Sequence, residues 1–257
     1  MGIALILPGK AEAKAQHERG RLTRASGVPL CTMSPALLIA LFIVIAILLV
    51  VGAYYAHKRL IELWQRTAAG LGFQYAEEDP FNLVSIPFRL FKLGEGQGCE
   101  NVVWGTRNGL DVKAFDFWYY EDSTDGEGHT SRSYERFSCA VVPAPVGCPP
   151  TSIGPESFGS RIGRALGFHD IEFESEDFNK KMKVKSAEPK FANYLIDARM
   201  MQWLLDNKGW EFELTGMSML AYCRKVKPPQ IVKVIEAVEG FRQHIPNVVE
   251  ETYKEGS

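Results

Sequence analysis

The segment PALLIALFIVIAILLVVGAYYA, residues 35–56, contains no charged residue and indicates that the chain is attached to a membrane. Every residue in 36–51 is Leu, Ile, Val, Phe or Ala. A helix rises about 1.5 Å per residue, so the segment makes a helix of roughly 33 Å, close to a hydrocarbon thickness of about 30 Å. Its strongly apolar side chains contribute on the order of −6 kcal/mol to insertion. We predict a transmembrane helix over residues 35–56, with the lipid bilayer as its partner.

The apolar segment is typical of a retained anchor. A cleaved signal has a core of about 7–15 residues and a small-residue cleavage site behind it. Here residues 53–56 lead directly into His57-Lys58-Arg59. A core helix of a soluble protein would show a polar face, which this segment lacks. The sequence therefore predicts a single-pass membrane protein.

The flanking charges predict the orientation of the anchor. Residues 1–33 are basic and lack sustained periodicity, and we predict that they are disordered. Their Arg19, Arg21 and Arg24 balance the basic residues after the helix. If translation begins at Met33, only the C-terminal flank is basic. The positive-inside rule then predicts a cytoplasmic domain, while the sequence leaves open whether residues 1–32 are translated.

The composition of residues 57–257 argues against some classes of partner and cofactor. These residues contain 24 Lys and Arg against 29 Asp and Glu, a net charge of −5, so nucleic-acid binding is not expected. The cysteines form no C-x-x-C pair and no zinc-ligand spacing, and we expect no metal and no cofactor. Reduced thiols in a cytoplasmic domain are the simpler reading. The cysteines are Cys31, Cys99, Cys139, Cys148 and Cys223.

Hydrophobic periodicity predicts an α+β fold in the part that follows the anchor. Residues 57–72 read as a juxtamembrane amphipathic helix that packs on the domain, and residues 73–246 as mainly antiparallel strands packed by helices. Residues 247–257 read as a polar tail. A strand meander followed by a terminal amphipathic helix would also suit a pleckstrin-homology-like barrel. The amphipathic stripe of the juxtamembrane helix is Leu60, Ile61, Trp64, Ala68 and Leu71.

Turn residues predict how the strands are connected. Asn108-Gly109 predicts a hairpin, and a second hairpin is expected around Gly216. Alternation in residues 110–120 shifts near Phe115, which indicates a bulge or a strand covered on both faces. The glycine-rich stretch 94–98 reads as a flexible turn, because no Lys-Ser/Thr follows to make a phosphate loop. The prolines that are expected to close the meander are Pro143, Pro145, Pro149 and Pro150.

One part of the sequence resembles a known group. The stretch FESEDFNKKMKVKS, residues 173–186, continues with Glu188-Pro189 and apolar helical runs at 191–196 and 200–205. Together with FDFWY at 115–119, it resembles uncharacterised, membrane-anchored bacterial proteins over about half of the soluble part. The resemblance implies a bacterial inner (plasma) membrane protein of unknown function and carries over no site residue.

Three residues are weak candidates for catalysis. His169-Asp170 could orient a general base, although adjacent strand residues point to opposite faces, and Cys148 could serve as a nucleophile. No catalytic motif is complete, so an enzyme is not the favoured class. The acidic residues of the loop that includes Asp122 and Asp125 miss the spacing of a calcium loop, and a solvated hairpin tip is the simpler reading.

These observations favour a membrane-anchored binding or interaction module with an unidentified protein partner. One rival is a membrane-tethered hydrolase that uses His169, Asp170 or Cys148. The other is a barrel-like domain that binds a lipid or a small ligand, which requires an open apolar mouth.

The anchor generates the first prediction. The full-length chain should stay in the membrane pellet after a carbonate wash, because its helix is integrated in the bilayer. A truncated chain that begins at Arg59 should be soluble. Fractionation followed by immunoblotting measures both. Release of the full-length chain by carbonate would contradict a transmembrane anchor.

Overall fold

The structure is a computed structural model that describes residues 34–155 and 169–254. The predicted disordered segment 1–33 lies outside this range. By internal contacts the chain divides into two units, one ending at Tyr55 and the other beginning at Ala56, and each is described by itself.

The described part of the first unit is the apolar beginning of helix α1 (Pro35–Leu71). Residues 36–55 are all exposed. The most apolar window of the helix has a mean hydropathy of 3.3 and is unburied, so by length and composition the helix can cross a membrane.

The second unit contains the end of α1 and twelve further helices and strands in its described residues. In chain order they are β1 (Gln74–Glu78), β2 (Gly96–Arg107), β3 (Leu110–Thr124), β4 (Thr130–Pro155), β5 (His169–Ile171), α2 (Glu176–Lys181), β6 (Met182–Ser186), α3 (Pro189–Leu195), α4 (Ala198–Asp206), β7 (Glu211–Arg224), α5 (Ile231–Gln243) and α6 (Asn247–Tyr253). Short 3-10 helices span Leu83–Ser85, Leu90–Lys92 and Pro228–Gln230.

The strands form one antiparallel sheet in the order β1-β2-β3-β4-β6-β5, and β7 pairs with β4. The predicted α+β class is confirmed. The sheet is open, since β1, β5 and β7 each pair with one neighbour among the described strands. A pleckstrin-homology-like barrel would instead close its edges.

The Asn108-Gly109 hairpin is confirmed. Both residues have positive φ, 52° and 75°, as the two-residue turn between β2 and β3 requires. The shifted alternation in β3 has a simple cause, because this strand is covered on both faces. Ala114 belongs to one buried cluster and Phe115 and Phe117 to the other. The register irregularity lies in the neighbouring strand β2, next to Asn101.

The expectation that prolines end the strand meander is wrong. β4 continues through all four prolines to Pro155. The ladder with β7 shifts register twice, between Pro143 and Cys148 and again between Cys148 and Thr151. The four prolines therefore lie at or within these irregular stretches. Proline removes a ladder donor and is tolerated at such irregularities.

The hairpin predicted around Gly216 is also wrong. Residues on both sides of Gly216 pair with β4 and form one strand, β7. Gly216 has φ 53° and lies at the register shift, where a left-handed backbone favours glycine. The sequence signal marked a bend in a strand, which has the same conformational requirement as a turn.

The glycine-rich stretch is not a flexible turn, because Gly96 and Gly98 begin β2. They lie opposite Tyr120 and Trp118 of β3. A Cβ at Gly98 would come within 2.9 Å of the Trp118 ring, and one at Gly96 within 2.5 Å of the Tyr120 ring. The glycines therefore make room for large aromatic side chains on the next strand.

Two buried clusters cover the two faces of the sheet. One contains residues of α3 to α6 and of the domain end of α1, where Trp64 and Ala68 are buried. The amphipathic stripe of residues 57–72 therefore packs on the domain as predicted, although Leu60 stays exposed. The other cluster contains Phe88, Phe91 and other residues of the segment between β1 and β2.

The polar tail predicted for residues 247–257 is corrected in its first part. Residues 247–253 form α6, with Val249 buried and the Tyr253 ring 5.1 Å from that of Phe191. The polar composition concealed this helix, because few apolar side chains suffice to dock a helix of two turns.

Candidate functional site

The best-built candidate site is an open recess beside the bend of β4 and β7, with an empty volume of about 330 Å³ that includes the open solvent at its mouth. We call it the carboxylate pocket. It lies where β6 and the segment before the second 3-10 helix meet β4 and β7. The charged and hydroxyl-bearing side chains that line it are Arg89, Ser152, Lys183, Lys185, Glu211 and Tyr222.

The bend of β7 brings the two ends of that strand together. The Tyr222 hydroxyl donates a hydrogen bond of 2.7 Å to Glu211 Oε2, although the two residues are eleven positions apart in one strand. A straight strand advances about 3.3 Å per residue, so these residues would otherwise lie roughly 36 Å apart. The bend therefore creates the pocket wall.

A second carboxylate, Glu213, lies beneath the pocket on the same face of β7. It accepts hydrogen bonds from the backbone N–H groups of Arg89, at 2.6 Å, and Leu90, at 3.2 Å. The Tyr222 hydroxyl also lies 3.3 Å from Glu213 Oε1. Glu213 thus fixes the start of the second 3-10 helix, and Arg89 Nη1 donates to Ser152 Oγ at 2.8 Å.

Within the described residues, one oxygen of Glu211 has no hydrogen-bond partner. The residue is 8% exposed, and its Oε1 atom is buried without a hydrogen bond. Gly154 leaves the space for this side chain, because a Cβ there would lie 2.8 Å from Glu211 Cγ. A buried polar atom without a partner is uncommon in native proteins and indicates a functional requirement or a bound molecule.

Burial changes the acidity of this cluster. Desolvation raises the pKa of Glu211 to about 8, and the Tyr222 hydrogen bond opposes the shift. Desolvation also raises the pKa of Glu213 to about 7, against its hydrogen bond with the Arg89 N–H. The Tyr222 pKa lies well above its usual value, chiefly through burial. The two carboxyls therefore titrate near neutral pH, which is typical of functional sites.

The lysines of β6 face the pocket from alternate positions. Lys185 Nζ lies 3.2 Å from Asp170 Oδ1, and its side chain is 17% exposed. Lys183 lines the same wall. Alternate residues of a strand share a face, which explains why both reach one recess.

The structure describes the surroundings of two of the three residues predicted as catalytic candidates. Cys148 is buried, its Sγ donates to the Val146 carbonyl at 3.3 Å, and burial raises its pKa to about 12, so it is a protonated thiol. Asp170 is exposed and forms an ion pair with Lys185, one of the residues that line the carboxylate pocket. His169 begins β5, opposite Ser186, and its side chain is outside the described atoms. A catalytic role for these residues stays a prediction.

The glutamates of the pocket were not predicted. The available signal was Glu-Phe-Glu at residues 211–213, two acids at alternate positions of an otherwise apolar strand. Such residues share one face, and that face must be either solvated or specially paired. Within residues 34–155 and 169–254, no group of three or more His, Cys, Asp or Glu side chains could hold a metal ion.

The loop considered for calcium is the tip of the β3–β4 hairpin. Asp125 Oδ1 accepts hydrogen bonds from the N–H groups of Glu127, at 3.0 Å, and His129, at 2.9 Å. Its carboxylate stabilises the turn, as expected for a solvated hairpin tip.

Comparison with known proteins gives a fold relative. No family model matches the chain, and no curated protein matches it. Among solved structures it is similar to the crystal structure of the mycobacterial trehalose monomycolate transport factor A, TtfA, with a TM-score of 0.55 and 16% sequence identity. The match covers 73% of this chain and 96% of that chain. At this identity the likeness shows a shared fold.

The raised carboxyl pKa values predict how stability depends on pH. The folded state retains protons that the unfolded state loses above about pH 4.5, so stability should fall as pH rises from there to about pH 8. Glu211→Gln removes one titrating group and keeps an acceptor for Tyr222. Its stability relative to wild type should rise across this window by on the order of 1–3 kcal/mol.

Urea unfolding of the full-length chain in detergent, followed by circular dichroism at several pH values, measures this difference. Glu127→Gln, at an exposed position in the β3–β4 turn, is the matched control and should follow wild type. Parallel pH profiles of Glu211→Gln and wild type would contradict the raised pKa of Glu211.

Proposed function

We propose that this protein is a single-pass membrane-anchored binding module whose domain holds a small polar ligand or a lipid headgroup in the carboxylate pocket. The observation that carries the proposal is the buried Oε1 atom of Glu211, a residue that lines an open recess. This atom lacks a hydrogen-bond partner in the part of the chain that the structure describes. Leaving such an atom unpaired costs about 1–3 kcal/mol or more. A ligand that forms a hydrogen bond with Glu211 Oε1 would remove this cost, and the contact would make binding selective for such ligands.

The anchor supports a role at the membrane. An apolar helix long enough to span a bilayer precedes the domain in the chain, and such a helix would tether the domain to the membrane. The fold relative is named as a transport factor for trehalose monomycolate. We propose by analogy that this chain also assists the handling of a membrane-associated molecule, and that a protein partner takes part.

The hydrolase hypothesis remains the rival. It requires the side chain of His169 within hydrogen-bond reach of a nucleophile in a concave site. The protonated thiol of Cys148 and the engagement of Asp170 with Lys185 favour the binding module over this rival.

Native mass spectrometry of the full-length chain, purified in detergent from its own membranes, tests the proposed function. We expect the mass spectrum to show one copurified ligand molecule bound to each chain. Glu211→Leu should lose it, because the polar contact in the pocket is removed while the buried volume is kept. Glu127→Leu, in the exposed turn, should retain it. Equal occupancy in both variants, or no bound mass in wild type, would contradict the proposal.

We further propose that the domain faces the cytoplasm of a bacterial inner membrane. Lys58 and Arg59 follow the apolar segment directly, and the four cysteines of the domain, Cys99, Cys139, Cys148 and Cys223, are all free thiols. Reduced thiols suit a reducing compartment.

A reporter that fluoresces only in the cytoplasm, fused after Ser257, should be active, and alkaline phosphatase fused at the same position should be inactive. Activity is read in intact cells, with fusion levels matched by immunoblotting. An active phosphatase and a dark fluorescent fusion would place the domain outside.

A further inference from the structure

We infer that the carboxylate pocket binds a phosphate-class oxyanion, held by Arg89, Lys183 and Lys185 and by a hydrogen bond from Glu211. The anion can be free phosphate or the phosphate of a lipid headgroup. This inference rests on the proposed function, since it names the ligand class of the same pocket.

Cations predominate among the side chains around the recess. Arg89 reaches it from the segment before the second 3-10 helix, and Lys183 and Lys185 from β6. Among the described residues that line the pocket, Glu211 is the one acid. Arginine and lysine are the side chains that most often bind phosphate, through charge-assisted hydrogen bonds.

The two carboxyls of β7 retain a proton between them. Glu211 and Glu213 both lie within hydrogen-bond distance of the Tyr222 hydroxyl, at 2.7 and 3.3 Å, so the carboxyls are close neighbours. Two negative charges at such separation disfavour each other. Both oxygens of Glu213 already have donors, which stabilise its ionised form. Glu211 is therefore the group that keeps the proton.

The position of that proton defines what the ligand must offer. Glu211 Oε2 accepts the Tyr222 hydrogen bond, so a retained proton lies on Oε1, the atom without a partner. The group is then a buried donor that lacks an acceptor. An oxyanion supplies that acceptor and is attracted by the positive charges of Arg89, Lys183 and Lys185, which they carry whatever protein groups they also contact. A cationic ligand would be repelled by them, and an apolar ligand would leave the donor unpaired.

The geometry also predicts a pH dependence of binding. When Glu211 ionises, near pH 8, it loses its donor and repels an anion, so binding should weaken as pH rises. Several charged and titratable groups surround Glu211. They are Glu213 and Tyr222 of β7, Arg89 before the second 3-10 helix, Lys183 and Lys185 of β6, and Asp170 of β5, which contacts Lys185. Ser152 of β4 contributes an uncharged hydroxyl.

Calorimetric titration of the full-length chain in detergent with inorganic phosphate and sulfate, at constant ionic strength, tests the inference. Sulfate keeps its charge across neutral pH and isolates the titration of the protein. We expect sulfate affinity in wild type to fall about tenfold or more from pH 6 to pH 9. Glu211→Gln should show a clearly smaller fall in sulfate affinity than wild type over this range, because its amide donates at every pH and of the two carboxyls only Glu213 still titrates.

Lys183→Ala should lower the affinity for both phosphate and sulfate by about tenfold or more, since it removes one cation from the pocket wall. Lys208→Ala, at an exposed turn before β7, is the matched control and should bind as wild type does. Circular dichroism confirms that each variant is folded.

A second arm identifies the source of the phosphate. The full-length chain is reconstituted in phosphatidylcholine vesicles with or without phosphatidylglycerol, and its lipid adducts are measured by native mass spectrometry. A phosphatidylglycerol adduct that is lost in Lys183→Ala identifies a lipid headgroup. If phosphate and sulfate bind in the calorimetric titration but no lipid adduct is found, the ligand is a free phosphate compound.

Absence of phosphate and sulfate binding, together with absence of the lipid adduct, would overturn the inference. If a mass that depends on Glu211 still copurifies from the native membrane, the proposed function stands and only the ligand class is wrong. If no such mass is found either, both fail. Anion binding that Lys183→Ala and Lys208→Ala reduce equally would also overturn the inference, because it would reflect general surface charge.

Discussion

The structure of the domain depends on the common bend of β4 and β7. The register between the two strands shifts on both sides of Cys148, which lies opposite Gly216, and the contact of Tyr222 with Glu211 requires that β7 turn back on itself. Because the bend forms within a continuous ladder, most backbone groups of the two strands stay paired. A closed hairpin would have separated the two halves of β7 from their shared neighbour. The bend therefore gives the sheet a concave corner without breaking its central strand pair.

That corner explains why charged groups are buried beside an aromatic cluster. Glu213 accepts hydrogen bonds from the backbone N–H groups at the start of the second 3-10 helix. The Tyr222 hydroxyl donates to Glu211 and also lies near Glu213. Removing these carboxyls from water is unfavourable unless they are protonated or well paired, and their raised pKa values follow from that requirement. The remaining unpaired oxygen is the part of the network that the protein itself does not complete.

Another buried carboxylate shows what a completed arrangement looks like. Asp116 of β3 accepts from Ser138 at 2.9 Å and lies 2.8 Å from Lys225 Nζ, and Asn101 at the β2 irregularity donates to it. Burial raises its pKa, and these partners oppose the shift. Both of its oxygens are engaged by protein groups, so this network needs no further molecule. The difference between Asp116 and Glu211 is what makes the carboxylate pocket a candidate binding site.

The sequence by itself determined the apolar helix that is long enough to span a membrane, the α+β class, the Asn108-Gly109 hairpin and the docking of the helix that carries Trp64, because these depend on local periodicity and turn chemistry. It did not reveal that Gly216 bends a strand, since glycine meets the same backbone requirement in a bend and in a hairpin. Nor did it reveal that Gly98 accommodates Trp118, which depends on the partner strand. The carboxylate pocket was decided by tertiary structure alone, because only the bend of β7 brings Tyr222 to Glu211, eleven residues away, and shields both from water.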